Sequence, residues 1–109
     1  MTWIVDEQIT IVWPSGERGD GRIAIGAPEI RARDCVCTVA VPPLMADTKI
    51  FGDSTLQALV LGLQAVGFAL HSFVEQGGRI VQGGEELPID AVLGALYRAP
   101  VPRPADDDS

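Results

Sequence analysis

The sequence predicts an α+β domain: an antiparallel meander of three to four strands packed on one long helix, with a short C-terminal helix. Three observations carry this. Apolar and polar residues alternate in successive short segments before Gly52, the period of half-buried strands. From Ser54 to Val74 apolar residues recur at three- and four-residue steps, the period of a helix. A chain of 109 residues with 47% apolar content suits one domain with an ordinary core. That domain is expected over residues 1–98, with residues 99–109 as a disordered Pro- and Asp-rich tail.

The first strand runs from Trp3 to Trp13, with Trp3, Val5, Ile9 and Ile11 on one face and Asp6, Gln8 and Thr10 on the other. Pro14-Ser15-Gly16-Glu17 is turn chemistry, and Gly19-Asp20-Gly21 reads as an extension of that loop. Arg22 to Ala27 alternates again, with Ile23 and Ile25 inward, and Pro28 closes it. Cys35, Cys37, Val39 and Val41 define a third strand, ended by Pro42-Pro43, and Thr48 to Phe51 forms a shorter fourth. Consecutive strands with short links favour an antiparallel meander.

The helix announces itself by a capping box. In Ser54-Thr55-Leu56-Gln57, Ser54 caps the first turn and Gln57 reaches back to the Ser54 N–H. Asp53 places negative charge where the helix dipole favours it. Leu56, Leu59, Val60, Leu63, Val66, Leu70, Phe73 and Val74 form a broad stripe expected to lie on the sheet, and Gly77-Gly78 ends the helix. After it, Arg79 to Gln82 forms a short strand with Gly83-Gly84 as a turn. Pro88 to Tyr97 reads as the second helix, with Ile89, Val92, Leu93 and Leu96 on one face.

A second stripe on the long helix is made of small residues, Ala58, Gly62, Ala65 and Ala69, with Leu61 and Phe68 further round. Only the line Gln57, Gln64, His71 and Glu75 is polar. A helix apolar on nearly every side is buried on nearly every side, and one sheet covers only one of them. Ala58, Leu61, Gly62, Ala65, Phe68 and Ala69 are therefore the candidate interface, for a homodimer or a protein partner.

Charge and composition narrow the function. Eight basic and 15 acidic residues give a net charge of −7, which excludes nucleic acid as the expected partner and favours a basic protein surface. The N-terminus carries no basic region followed by an apolar run, so a cytoplasmic location is expected. The uncharged Ser54–Val74 stretch is long enough to span a bilayer. The line of Gln57, Gln64 and His71 and the absence of basic flanks argue against a membrane partner.

Catalytic and metal chemistries are poorly represented. Gly52-Asp53-Ser54 resembles the Gly-Asp-Ser block of a lipase and esterase family whose Ser is the nucleophile. The only His, His71, lies 17 residues further along the same helix, about 25 Å away, too far to activate Ser54. The capping box explains Ser54 without catalysis. His71, alone on the polar line, is expected to be a surface or interface residue. Cys35 and Cys37 sit on one face of a strand roughly 7 Å apart, too far for a disulfide, and read as reduced core residues. With one His they do not make a four-ligand zinc site. Adjacent carboxylates at Asp6-Glu7 and Glu85-Glu86 point to opposite strand faces and make no glycosidase pair. No catalytic residue, metal or cofactor is expected.

Ile23-Ala24-Ile25-Gly26-Ala27-Pro28, the Asp34-Cys35-Val36-Cys37 strand and the block Phe51-Gly52-Asp53-Ser54-Thr55-Leu56-Gln57-Ala58-Leu59 together resemble a small uncharacterised bacterial α+β domain family. Its signature is a Gly-x-Asp-Ser-x-Gln-Ala-Leu block opening a long apolar helix, which this sequence matches with small shifts in spacing. The chain departs at the Cys strand, where that family often has Trp and Cys-Pro and this sequence has Cys37-Thr38. The resemblance implies a compact α+β domain and transfers no catalytic residues. The expectation is a non-enzymatic protein-binding module, of the immunity or inhibitor type that neutralises a basic bacterial effector. The alternative is a small-molecule-binding protein or enzyme with an apolar pocket between sheet and helix, using Gln64 or His71 as the polar contact.

Overall fold

The computed structural model describes residues 2–89. The expected helix over Pro88–Tyr97, apart from Pro88 and Ile89, and the expected tail over residues 99–109 lie outside them. The α+β class holds, with one long helix against an antiparallel sheet, but the sheet has seven strands rather than three or four. They are β1 (Trp3–Val12), β2 (Arg18–Gly26), β3 (Glu29–Ile30), β4 (Cys35–Val41), β5 (Met45–Gly52), β6 (Arg79–Gln82) and β7 (Glu85–Glu86), with α1 (Thr55–Glu75) between β5 and β6.

Strand pairing follows from shared partners. Cys35 pairs with both Ile30 and Gly52, and Val39 with both Ile25 and Thr48. So β5 holds one edge of β4, while β2 and β3 share the other. β1 pairs with β2 on one side and β6 on the other, and β7 closes the far edge as a hairpin with β6. α1 carries the chain from β5 across the sheet to β6.

Two strands extend beyond their alternating cores. β2 begins at Arg18, so Gly19-Asp20-Gly21, expected in a loop, is strand. The reason is the long partner β1, whose Ile9 and Ile11 stand opposite Gly21 and Gly19. A Cβ at Gly21 would come 2.7 Å from Ile11 Cγ1, and one at Gly19 would come 2.9 Å from the Trp13 ring. These glycines leave the space that the Ile11 and Trp13 side chains occupy. β5 likewise runs from Met45, paired along β4 from Val41 to Cys35.

Parity also fails at one end of β1. Trp3 pairs with Gly26 but Val5 with Ile25, so Ile4 is an extra residue in a bulge. The bulge turns Trp3 away from the Val5, Ile9 and Ile11 face on which simple alternation placed it. Trp3 instead lies under the Arg22 guanidinium, 4.9 Å from ring centroid to Cζ, on the sheet face away from the helix. Arg22 also bonds Asp6 at 2.6 Å, and this holds the Asp6 carboxyl below its ordinary range.

The core lies between sheet and helix. Ile9, Ile11, Ile25, Cys35, Cys37, Val39, Val41 and Ile80 line the sheet side, and Ala58, Val66, Leu70 and Phe73 the helix side. Each buried Val, Leu, Ile or Phe contributes about 1.5–3 kcal/mol of transfer free energy. Trp13 meets Phe73 edge-on, with centroids 6.3 Å apart, where α1 ends. There Gly77 takes φ +97°, the left-handed residue expected as the helix stop.

Candidate functional site

The placement of α1 decides which surfaces remain for function. Its N-terminus is capped as the Ser-x-x-Gln pattern predicts, with the Gln57 N–H donating to Ser54 Oγ at 3.0 Å. The return bond falls one residue earlier than expected: Gln57 Oε1 accepts from the Asp53 N–H, not from Ser54. Ser54 and Gln57 thus act together at the helix start, and Gly52 packs its backbone against Ala58, 2.7 Å from where a Cβ would stand.

The rotation of α1 about its axis differs from the expectation. The residues buried along it are Ala58, Gly62, Val66, Gly67, Leu70 and Phe73. A Cβ at Gly62 would lie 3.0 Å from Cys37 Sγ and 3.1 Å from Val39 Cγ1, so Gly62 touches the centre of β4. The small stripe is therefore the sheet-facing one over Ala58 and Gly62, and these two residues are not part of an outer interface. Ala65 and Ala69 are half-buried beside them. The physical reason is close approach: small residues let the first half of the helix settle onto β4, while Val66, Leu70 and Phe73 fill the core along its second half. Leu59, Leu63 and Val74 are half-buried on its flank, while Leu56 is 71% and Phe68 62% exposed, with Leu61 at 36%. Of the six candidate interface residues, Leu61 and Phe68 are the two on the exposed side.

α1 is long and apolar enough to cross a membrane by length and composition, and one third of that window is buried in the fold.

A cavity of about 230 Å³ lies beside this helix. Val5, Ile23 and Ile25 form its sheet wall, Leu63, Val66 and Leu70 its helix wall, and Leu87 and Ile89 a third side. Its one ionisable lining residue among those described is Glu7. Alternation along β1 puts Glu7 on the helix side of the sheet with Val5 and Ile9, and Asp6 on the other, as expected for adjacent strand residues. Gln82 of β6 donates through Nε2 to Glu7 Oε2 at 3.2 Å and to the Gln8 carbonyl at 3.4 Å. Gln64 and His71, expected as polar contacts of such a pocket, are not among the described residues lining it. His71 Nε2 lies 3.0 Å from Glu75 Oε1, one helical turn on. The signal for Glu7 was present in the sequence as the one charge inside an apolar alternation, but it carried weight only once the cavity was located.

Cys35 and Cys37 are free thiols, both buried on the helix side of β4. Cys37 Sγ donates to the Gly26 carbonyl at 3.3 Å, and burial pushes its thiol pKa up. A raised pKa disfavours the thiolate, the form that attacks electrophiles and binds metals. Among the described residues no three His, Cys, Asp or Glu side chains are grouped to hold a metal ion. On the opposite sheet face, Arg31 stacks over Phe51 at 5.7 Å.

No protein-family model matches the chain, no curated protein matches it, and no solved structure matches it.

Proposed function

We propose that this protein is a non-enzymatic protein-binding module, of the immunity or inhibitor type, whose partner presents a basic surface. The observation that carries this reading is the exposed apolar side of α1, where Phe68 and Leu56 stand 62% and 71% open. Contiguous apolar surface on a helix is a common docking element, and aromatic residues serve as its anchors. The net charge of −7 supplies long-range attraction to a cationic partner. The small-residue contact is used up against the sheet, so the partner, or a second copy, meets Leu61 and Phe68 rather than Ala58 and Gly62. The test combines light scattering at micromolar concentration with affinity capture from the native cell, for wild type and Phe68→Asp. The expected result is a dimer or a captured basic protein that Phe68→Asp loses at unchanged thermal stability. A monomer whose captured proteins are the same for both chains would refute the reading.

A second reading rests on a separate observation, the apolar cavity walled by Ile23, Leu63 and Leu70. In that reading the protein holds a small apolar ligand between helix and sheet.

A further inference from the structure

We propose that the free edge of β5 docks a second copy of this chain, the two strands pairing antiparallel about a two-fold axis at Thr48 with Leu61 and Phe68 meeting beside them. This rests on the reading of the exposed side of α1 as a docking surface, and it names the occupant. Among the described residues β5 pairs with β4 alone. It is 8 residues long, with Ala46, Asp47, Lys49 and Phe51 exposed. A free edge presents unpaired backbone N–H and C=O groups, a template for another strand.

Charge points to a second copy. Asp47 and Lys49 stand on either side of Thr48, and neither is ion-paired with another described residue. In an antiparallel pair centred on Thr48, each Asp47 lies opposite the partner's Lys49, so two ion pairs form at once. Centring the axis one residue to either side gives the nearest registers that keep the two sheet faces. Those registers set Asp47 against Asp47 or Lys49 against Lys49, and both are repulsive. The opposite edge of the sheet offers no such pairing, because β7 is Glu85–Glu86 and two copies there would set acid against acid. The β5 edge is locally neutral in a chain of net charge −7: Asp47 and Lys49 cancel, and α1 carries no Asp, Glu, Lys or Arg before Glu75.

The helix supplies the rest of the contact. Val39 pairs with Thr48 and Val41 with Met45, so one extra residue bends the start of β5 and keeps the regular pairing short. α1 runs back along β5: Gly52 meets Ala58, and Leu44, just before Met45, shares a cleft with Ala69 and Ser72. Phe68 lies one turn before Ser72 and Leu61 two turns before Ala69, on that same flank. Leu63 and Leu70 face the other way, toward Ile23 and Ile25. Thr48 is midway between Leu44 and Gly52, and Leu61 and Phe68 straddle the middle of the matching stretch of α1. One axis therefore sets Leu61 against the partner's Phe68 as it sets Asp47 against the partner's Lys49.

The experiment measures the mass of the full chain by sedimentation across the micromolar range. It compares wild type, Asp47→Lys, Lys49→Asp, the chain carrying both exchanges and Phe68→Asp, with urea midpoints confirming that each folds. The expected result is a wild-type dimer that either single exchange weakens on the order of tenfold, because both symmetric ion pairs become like-charge pairs. The double exchange restores the wild-type affinity, and Phe68→Asp loses the dimer. A wild-type dimer indifferent to both single exchanges, or one that the double exchange fails to restore, overturns pairing at β5. A wild-type monomer overturns the second copy as occupant. The docking reading then stands if wild type but not Phe68→Asp captures a basic protein from the native cell, and falls as well if the two capture the same proteins.

Discussion

Replacing Gly62 by Gln tests the rotation of α1 on the sheet, on which every surface assignment depends. Even the first added atom, a Cβ, would stand 3.0 Å from Cys37 Sγ and 3.1 Å from Val39 Cγ1. Both side chains are fully buried in the middle of β4, so they have no solvent-side space into which to yield. Overpacking of this kind costs about 1–3 kcal/mol. The amide, forced between helix and sheet without a partner, costs about 1–3 kcal/mol more. Removing a glycine from a helix interior returns about 1 kcal/mol. The net expected loss is about 1–5 kcal/mol, against a total of about 5–15 kcal/mol for a domain of this kind. Gly62→Ala, which adds the Cβ alone, loses between about 0 and 2 kcal/mol by the same reasoning. Phe68→Gln, on the exposed side, changes stability by less than about 0.5 kcal/mol. Urea denaturation followed by far-ultraviolet circular dichroism reads all three. A Gly62→Gln chain with the wild-type midpoint and slope would refute the reasoning, because it would place the small stripe toward solvent.

Two further outcomes follow from local geometry. Ser54→Ala removes the acceptor of the Gln57 N–H and lowers stability by about 0.5–2 kcal/mol in the same assay, whereas Ser54→Asp retains most of it; specific labelling of Ser54 by a fluorophosphonate would contradict its role as a cap alone. Because burial raises the Cys37 thiol pKa above its ordinary 9.0, the folded chain holds that proton to higher pH than the unfolded chain. The Cys37 contribution is complete below the unfolded value and is lost as pH rises from there through the folded value. Urea midpoints measured from pH 8 to 10 should fall for wild type and fall less steeply for Cys37→Ala; identical slopes would rule the contribution out.

What the sequence by itself determined is what short-range chemistry governs. The Ser54–Gln57 box starts a helix wherever it sits, because its bonds join groups within one turn. The helix stop at Gly77 and the β1–β2 and β6–β7 turns, with Gly16, Gly83 and Gly84 at positive φ, are local in the same sense. The strand centres around Ile9–Ile11, Ile23–Ile25 and Cys35–Val41 were legible because a buried face imposes period two. The α+β class, with one long helix on an antiparallel sheet, followed from those elements in order.

Tertiary structure decided the rest. Two apolar stripes competed for the sheet, and their composition could not rank them. In the first two turns the choice went to Ala58 and Gly62, because small residues let the backbone of α1 approach Cys37 and Val39, while Val66, Leu70 and Phe73 of the larger stripe are buried further along. That contact spans more than twenty residues of sequence and leaves no periodic signal. The same holds for Gly19 and Gly21, which look like loop residues until Trp13 and Ile11 lie across them. It holds for the Ile4 bulge, which sends Trp3 to Arg22, and for the two-residue strands β3 and β7, which exist only as partners of β4 and β6. Glu7 is the sharpest case. In the sequence it is one polar residue in an alternating strand. Only the packing of Leu63 and Leu70 opposite Ile23 and Ile25 makes it the charged residue at the rim of an apolar cavity, because a cavity is defined by the surfaces that fail to meet and no segment carries it alone.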